Sequence, residues 1–245
     1  MATFNGAAYI TRQILSILEE LGPDDELIVV DDASTDNTIS MLHSISDYRI
    51  QIHINSHNQG EVLSFSRGIR LARNEFIFLA DQDDIWILGR VAKMIDKLRS
   101  SGASLVTSNF VWINEFEKPI EVDFDGVNGR TSARHLHNVL EIFLGKTTYF
   151  GCAMAFRRDF VSLFAPIPAW VKSHDVWIAL AANLICSNVH MDEPTLLKRR
   201  HKSNATNTVS SRSLPKKLWA RVVFLRSLAV LQARRMQLAS EQKTG

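Results

Sequence analysis

The chain is predicted to fold as an α/β domain with a doubly wound sheet. Three observations predict it. Two apolar runs, Leu27-Ile28-Val29-Val30 and Phe76-Ile77-Phe78-Leu79, have the character of buried parallel strands. Each ends abruptly in acids, at Asp31-Asp32 and at Asp81-Gln82-Asp83-Asp84. Helical spacings alternate with these runs, the pattern of a sheet covered on both faces. In such sheets ligands bind beyond the carboxyl ends of the strands, so the five carboxylates are expected at one sheet edge.

Ile10, Ile14, Ile17, Leu18 and Leu21 predict a helix over about 8–20, ended by Gly22-Pro23-Asp24. After the strand to Asp31, Ser34 or Thr35 is expected to cap a helix that buries Ile39, Leu42 and Ile45. Ile50–Ile54 alternates as a strand, and Asn58-Gln59-Gly60 is a turn. Val62, Phe65, Ile69 and Leu71 predict the helix leading to the strand that ends at Asp81. A helix over 91–98 and a strand over 104–107 follow, then an irregular stretch over 109–130. The second half reads as a strand over 147–156, a helix over 175–184 and an extended segment over 189–198. No sharp linker divides 1–205, so one composite domain is expected, with a first half of about 1–108 and a second half of 109–205. Residues 206–245 form a tail.

The chain has 245 residues, 46% of them hydrophobic and 22% charged, enough for one α/β domain with an appendage. Cys152 and Cys186 are the two cysteines, with no C-x-x-C pair, which disfavours a disulfide framework or structural zinc. No apolar run is long enough to predict a membrane span. The opening Met1-Ala2-Thr3-Phe4-Asn5-Gly6 lacks the features of a secretory leader, so a cytoplasmic setting is expected. The net charge of +2 hides an asymmetry. Of 28 basic side chains, 12 lie from Lys198 onward with a single acid, Glu241, which leaves an acidic body and a basic tail. A helix over 214–238 would carry Leu214, Leu218, Val222, Leu225 and Ala229 on one face. Lys216, Lys217, Arg221, Arg234 and Arg235 lie largely on the other, and Arg226 interrupts the apolar face. Such a tail predicts peripheral contact with the inner face of the membrane, or packing on the body with a solvated basic side. Nucleic acid is not an expected partner, because no reader motif accompanies the charge.

Asp31 and Asp32 suit either a helix-capping turn or hydrogen bonding to a nucleotide base or ribose. Asp81, Asp83 and Asp84 fall within four residues after a buried strand. Carboxylates so close repel one another unless a cation offsets them, and Mg²⁺ or Mn²⁺ takes such ligands together with phosphate oxygens. His174-Asp175 opens an apolar helix, where an N-cap alone would explain the acid. Arg199-Arg200-His201 suits either a diphosphate or solvent. The hydrolase elbow, the P-loop, the dinucleotide glycine motif and the zincin motif are all absent.

Taken in order, these segments resemble family 2 glycosyltransferases with the GT-A fold. The resemblance is carried by Met1 to Gly6, Glu26 to Asp36, Asn58-Gln59-Gly60, Ala80 to Trp86, Gly151 to Phe156, His174 to Trp177 and Glu193 to His201. The Asp-Gln-Asp-Asp-Ile-Trp and His-Asp-x-Trp variants are similar to the rhamnosyltransferase-containing branch that builds bacterial surface polysaccharides. The resemblance implies an inverting transferase using a nucleotide sugar, with dTDP-rhamnose or a UDP-sugar as donor and a polysaccharide or lipid-linked glycan as acceptor. Ala2, Thr3, Phe4, Asp31, Asp32 and Asp81 then fall at the nucleotide. Asp81, Asp83, Asp84 and His201 fall at the Mg²⁺ or Mn²⁺ site, and Asp175 falls on the catalytic base. Gly151, Cys152, His174 and Trp177 fall on the acceptor side. Two departures stand out. The family's first, central strand is expected to be missing, because the apolar residues that form it would precede Met1. Gly89-Arg90 and Lys198-Arg199-Arg200 also depart from the usual Pro-acidic and Tyr-Arg-Gln patterns. The alternative reading is a non-catalytic nucleotide-sugar-binding or scaffold protein of a polysaccharide assembly complex.

Overall fold

The structure is a computed structural model that describes residues 1–146, 149–201 and 214–244. The elements in chain order are β1 (Ala2–Thr3), α1 (Ile10–Leu18), β2 (Leu27–Asp31), α2 (Thr38–Ser44), β3 (Ile50–Ile54), α3 (Glu61–Leu71), β4 (Phe76–Phe78) and β5 (Ile85–Trp86). They continue with α4 (Arg90–Ser101), β6 (Leu105–Ile113), α5 (His135–Leu144), β7 (Met154–Arg157), α6 (Val161–Phe164), α7 (His174–Leu184), β8 (Asn188–Arg199) and α8 (Leu214–Thr244).

The strands form two sheets among the described residues. One is parallel, in the order β1-β2-β3; the other is mixed, in the order β4-β7-β6-β8-β5. β6 and β8 run parallel through a bulged register, which carries β8 from Asn188 up to Arg199 at the site. β2 is buried along its whole length, as its unbroken apolar run requires. α7 has a similar explanation: apolar on nearly all sides, it is a core helix rather than a half-exposed one. Trp177, Ile178, Leu180 and Ala181 sit in the largest core cluster with Phe156, Phe164 and Leu231.

The first strand is present, but only as Ala2–Thr3, which pairs with Val30 and Asp31 of β2. That stub does not reach β4, so β2 and β4 belong to different sheets. A cavity of about 360 Å³ lies between them, lined by Leu27 and Ile28 on one side and by Phe76, Ile77 and Phe78 on the other. The Met1 ammonium is buried at this edge, where it donates to the Ile28 carbonyl at 2.8 Å. Burial pushes its pKa down to about 5, opposed by the negative charge of Asp81.

Several expectations are corrected. Neither Ser34 nor Thr35 caps α2. Ser34 turns back to Asp31, and Asp36 accepts from the Thr38 amide instead. The strand expected from 147 begins only at Met154, because Gly151–Ala153 forms a 3₁₀ turn; Thr147 and Thr148 lie outside the described residues. The strand expected over 104–107 runs on to Ile113 as β6, which takes up the first part of the stretch read as irregular. α5 has no counterpart in the sequence reading. The expected tail helix forms as α8, but its body-facing residues are Phe224, Leu228, Leu231 and Leu238. The predicted apolar face, with Leu218, Val222 and Leu225, points to solvent instead. No helix of the described residues is long and apolar enough to cross a membrane.

Candidate active site

The ends of β1, β2 and β4 meet around Thr3 and Phe4. The Asp32 amide donates to the Thr3 carbonyl at 2.8 Å, while Thr3 Oγ1 donates to Gln82 Oε1 at 2.6 Å. Gln82 also accepts from the Phe4 amide and donates to its carbonyl, which locks the two strand ends together. Ala2 packs against the main core, whereas the Phe4 side chain is 42% exposed, an open aromatic face beside the acids. The Asp31 and Asp32 carboxylates are both buried and both engaged. Asp31 accepts from the Ser34 amide and hydroxyl. Asp32 accepts from Asn55 Nδ2 and from the Gln59 and Gly60 amides at 2.7–2.9 Å. Burial opposes ionisation of Asp32, but these donors outweigh it and hold the carboxyl below its ordinary value. Gly60 has φ of 92°, a left-handed conformation that presents its amide to Asp32 at the start of α3.

The acidic loop after β4 divides into two parts. On the inner side, the Lys198 ammonium lies 3.0 Å from Asp81 Oδ2, 3.6 Å from Asp84 Oδ2 and 3.3 Å from Cys152 Sγ. Asp81, Asp84 and Cys152 could by themselves surround a cation, with ligand atoms all within 4.8 Å of one another. Lys198 already supplies positive charge there. Burial opposes ionisation of Asp81, yet Lys198 holds its carboxyl below the usual range. Asp84 lies deeper; burial, with Asp81 and Asp83 nearby, pushes it up to about 7 despite Lys198. Its Oδ2 is buried without a hydrogen-bond donor, while Oδ1 accepts from the Arg199 amide at 3.0 Å. Cys152 is a buried thiol whose pKa burial raises well above its ordinary value, so it stays protonated.

On the outer side, Asp83 Oδ2 and His201 Nε2 stand 2.7 Å apart. Tyr9 stacks on the His201 ring at 4.9 Å. Of the four predicted metal ligands, Asp83 and His201 meet each other with little exposure, and Asp81, the most exposed of the four, turns with buried Asp84 to Lys198. A carboxylate beside an imidazole, with a buried and under-satisfied carboxylate behind, fits a hard divalent ion. The imidazole favours Mn²⁺ over Mg²⁺.

Asp175 sits in the first turn of α7. The N-cap is Ser173, not the acid, and Ser173 accepts from the Val176 amide. Ser173 Oγ also donates to Asp175 Oδ1, and the Val176 amide donates to the same oxygen at 2.8 Å. Asp175 is therefore oriented by the cap rather than serving as it. His174 stacks on Phe65 at 4.1 Å, and its Nδ1 lies 3.5 Å from Glu61 Oε1. Gly151 is required here, since a Cβ would stand 2.5 Å from His174 Nε2. Of the residues expected on the acceptor side, Trp177 and Cys152 are both buried. Trp177 is buried and donates from Nε1 to the Phe164 carbonyl, and Cys152 lies beneath Lys198.

The sequence reading missed four contributors. Glu61 faces the site from the first turn of α3; its side chain is half exposed, but partial desolvation with the charges of Asp81 and Asp175 pushes its carboxyl up to about 7. Gln82 lies inside the acidic motif but drew no role. Lys198 was noted only as a departure from a pattern. Arg90, another departure, is fully buried against Trp86 and donates to Thr195 Oγ1 and to the Cys152 carbonyl. An apolar segment holding an isolated buried Arg or Lys is the signal that could have found the last two.

The strand ends, acidic loop and aromatic face define a nucleotide-binding α/β protein of the GT-A type. The sequence model for Glycosyl transferase family 2 matches residues 1–164, and the chain belongs to that family. A UDP-Glc:α-D-GlcNAc-diphosphoundecaprenol β-1,3-glucosyltransferase of Escherichia coli is 31% identical over 114 residues, 46% of this chain and 45% of that protein. A dTDP-rhamnosyl transferase of Shigella flexneri is 33% identical over 119 residues, 45% of this chain and 41% of that protein. The chain thus spans less than half the length of either relative. Among solved structures, S. aureus TarS with UDP-GlcNAc superposes with a TM-score of 0.66 at 16% identity, covering 92% of this chain and 70% of TarS. A Pyrobaculum calidifontis mannosyltransferase with GDP-Man and Mn²⁺ gives 0.59 at 18% identity, covering 98% and 73%.

Proposed function

We propose that the chain is an inverting glycosyltransferase that moves a sugar from a nucleoside diphosphate to a hydroxyl of a glycan or lipid-linked acceptor. Residues 1–205 form its catalytic domain and 206–245 its basic tail. The observation that carries this is the convergence of the His174-Asp175 turn with the acidic loop: His174 packs on Gly151, whose neighbour Cys152 lies 3.3 Å from the Lys198 ammonium that pairs with Asp81. The relatives' activities favour dTDP-rhamnose or a UDP-sugar as donor and an undecaprenyl-linked acceptor. The site of action is then the cytoplasmic face of the membrane.

Phe4 offers a face for the base, and the Asp31 and Asp32 loops shape its pocket. Asp175 takes the proton of the acceptor hydroxyl as that oxygen attacks the anomeric carbon. The bond from that carbon to the diphosphate breaks, the electron pair leaves with the diphosphate, and the configuration inverts. A divalent ion held by Asp83 and His201 would offset charge on the departing diphosphate. Lys198 keeps Asp81 and Asp84 compensated, so that the loop keeps its shape whether or not a diphosphate is bound.

A panel of nucleotide sugars, offered with Mn²⁺ and acceptor, tests the proposal by release of nucleoside diphosphate. Release that depends on Asp175 supports it. Donor binding with no release from any member of the panel would favour the non-catalytic binding or scaffold role.

A further inference from the structure

Two neighbouring helices turn apolar residues to solvent. On α5, Leu136, Leu140 and Leu144 recur every four residues and are all exposed. On α8, Leu218 is 70% and Trp219 65% exposed, and Val222 and Leu225 are exposed beside them. These α8 residues are not the ones that hold the helix to the body, a task done by Phe224, Leu228, Leu231 and Leu238. The helix is therefore apolar on two faces, and packing accounts for one. Phe143 of α5 meets Phe224 of α8 at 5.3 Å, with the Arg221 guanidinium 4.8 Å over the Phe143 ring, so the two exposed stripes adjoin.

Charge selects the occupant. Residues 214–240 hold six Lys or Arg and no acid; Arg226, Arg234 and Arg235 also reach the body, and α5 adds one acid, Glu141, so the patch keeps a net positive charge. A second copy of the chain would set these like charges against one another. Its contact would also be shallow, because the outward stripe continues through Ala229 and Gln232, which make poor core seats. An anionic lipid surface complements the same charge, and leucines with a tryptophan beside arginines are the composition of a helix lying in the headgroup region.

The fold also sets the direction. Arg235 donates to the Leu184 carbonyl at the far end of α7, whereas Arg226 stacks on Trp170, which packs against Trp177 near the start of α7. α8 thus runs antiparallel to α7, and its Leu218–Leu225 part extends toward the Asp175 end.

We propose that the exposed α5–α8 patch docks on an anionic lipid bilayer and brings the Asp175 end of α7 to face it. The docking stands by itself. Its consequence, that the acceptor is carried on the lipid surface, rests on the transferase reading.

Flotation of the full chain with vesicles of phosphatidylcholine alone, and with about one third phosphatidylglycerol, tests the docking. Binding to the anionic vesicles should be at least ~10-fold tighter and should weaken with salt. The double substitution Leu218→Ser, Trp219→Ser should cut it by ~10-fold or more, because the apolar insertion is lost. Leu140→Ser with Leu144→Ser, on the other helix, should act in the same direction. These side chains face solvent, so the melting temperature should hold. Equal binding to both vesicle types, no binding to either, or wild-type binding by both double variants would overturn the proposal. So would a dimer that the same substitutions dissolve, since the patch would then belong to a second copy. Absence of sugar transfer would count against the transferase reading and leave the vesicle result as it stands.

Discussion

Lys198 Nζ lies 3.0 Å from Asp81 Oδ2, a buried ammonium against a partly exposed carboxylate of the acidic loop. The same ammonium reaches Asp84 at 3.6 Å, so one internal cation compensates two carboxylates. Removing one partner of a buried pair leaves charge uncompensated. Lys198→Met should therefore lower stability by roughly 3–5 kcal/mol in urea denaturation at pH 8. The loss should shrink at pH 5, where the bared carboxylates can take up protons. Unchanged stability at both pH values would mean that Lys198 does not compensate the loop.

Asp175→Asn should cut sugar transfer by roughly 10²–10⁴-fold with donor affinity unchanged, because the amide cannot accept the acceptor's proton. The helix should be unharmed, since Ser173 supplies the cap. Steady-state transfer and donor titration calorimetry separate the two effects. Wild-type turnover in this variant would remove Asp175 as the base.

Asp83→Ala should abolish the dependence of donor binding on Mn²⁺. Asp83 is the carboxylate paired with His201, and without it the imidazole is a lone outer ligand. Donor titrations with and without Mn²⁺ read this directly. The inner pair stays on Lys198, so the fold should survive. An unaltered Mn²⁺ response would place the ion elsewhere.

Glu61 supplies a pH dependence. Its carboxyl titrates at about 7, so it gains negative charge as pH rises through that value. Ionised Glu61 adds a carboxylate beside His174 at the start of α7, where negative charge helps draw the acceptor's proton, so transfer should rise across the same window. Glu61→Gln should flatten the rise while the rest of the profile persists. A pH–rate profile that keeps its inflection near 7 in the variant would assign it to another group.

Much of this was legible in the sequence, for physical reasons. β2 and α7 announce themselves because a fully buried element must be apolar on every side. The acidic loop stands out because the change from Phe78 and Leu79 to Asp81 is abrupt. Roles set by long-range partners were not legible. Nothing local shows that Lys198 turns to a loop 117 residues away, or that Asp32 spends its oxygens on Gln59 and Gly60. α8 shows the same limit: the spacing marks Leu218, Val222 and Leu225 as its apolar face, but α6 and α7 take up Phe224, Leu228 and Leu231 instead.

The cavity beside β1 gives the last prediction. β2 and β4 face each other across it, and the Met1 ammonium is buried at its end with a pKa near 5. An unfolded chain holds that proton up to about pH 8, so the folded state is penalised wherever the amine must shed it. The shift of about three units corresponds to roughly 4 kcal/mol, present in full below pH 5 and gone above pH 8. This contribution alone makes stability rise between those values. An added extension of about six apolar residues before Met1 would replace the ammonium by a peptide N–H and lay a strand into the cavity. Each Å² of apolar surface so buried contributes roughly 25 cal/mol. The extended chain should melt at a higher temperature, with the larger gain at pH 5.5 than at pH 8. Calorimetry at the two pH values checks both parts. An equal gain at both would show that the amine is not the cause, and no gain at either would show that the cavity does not accept a strand.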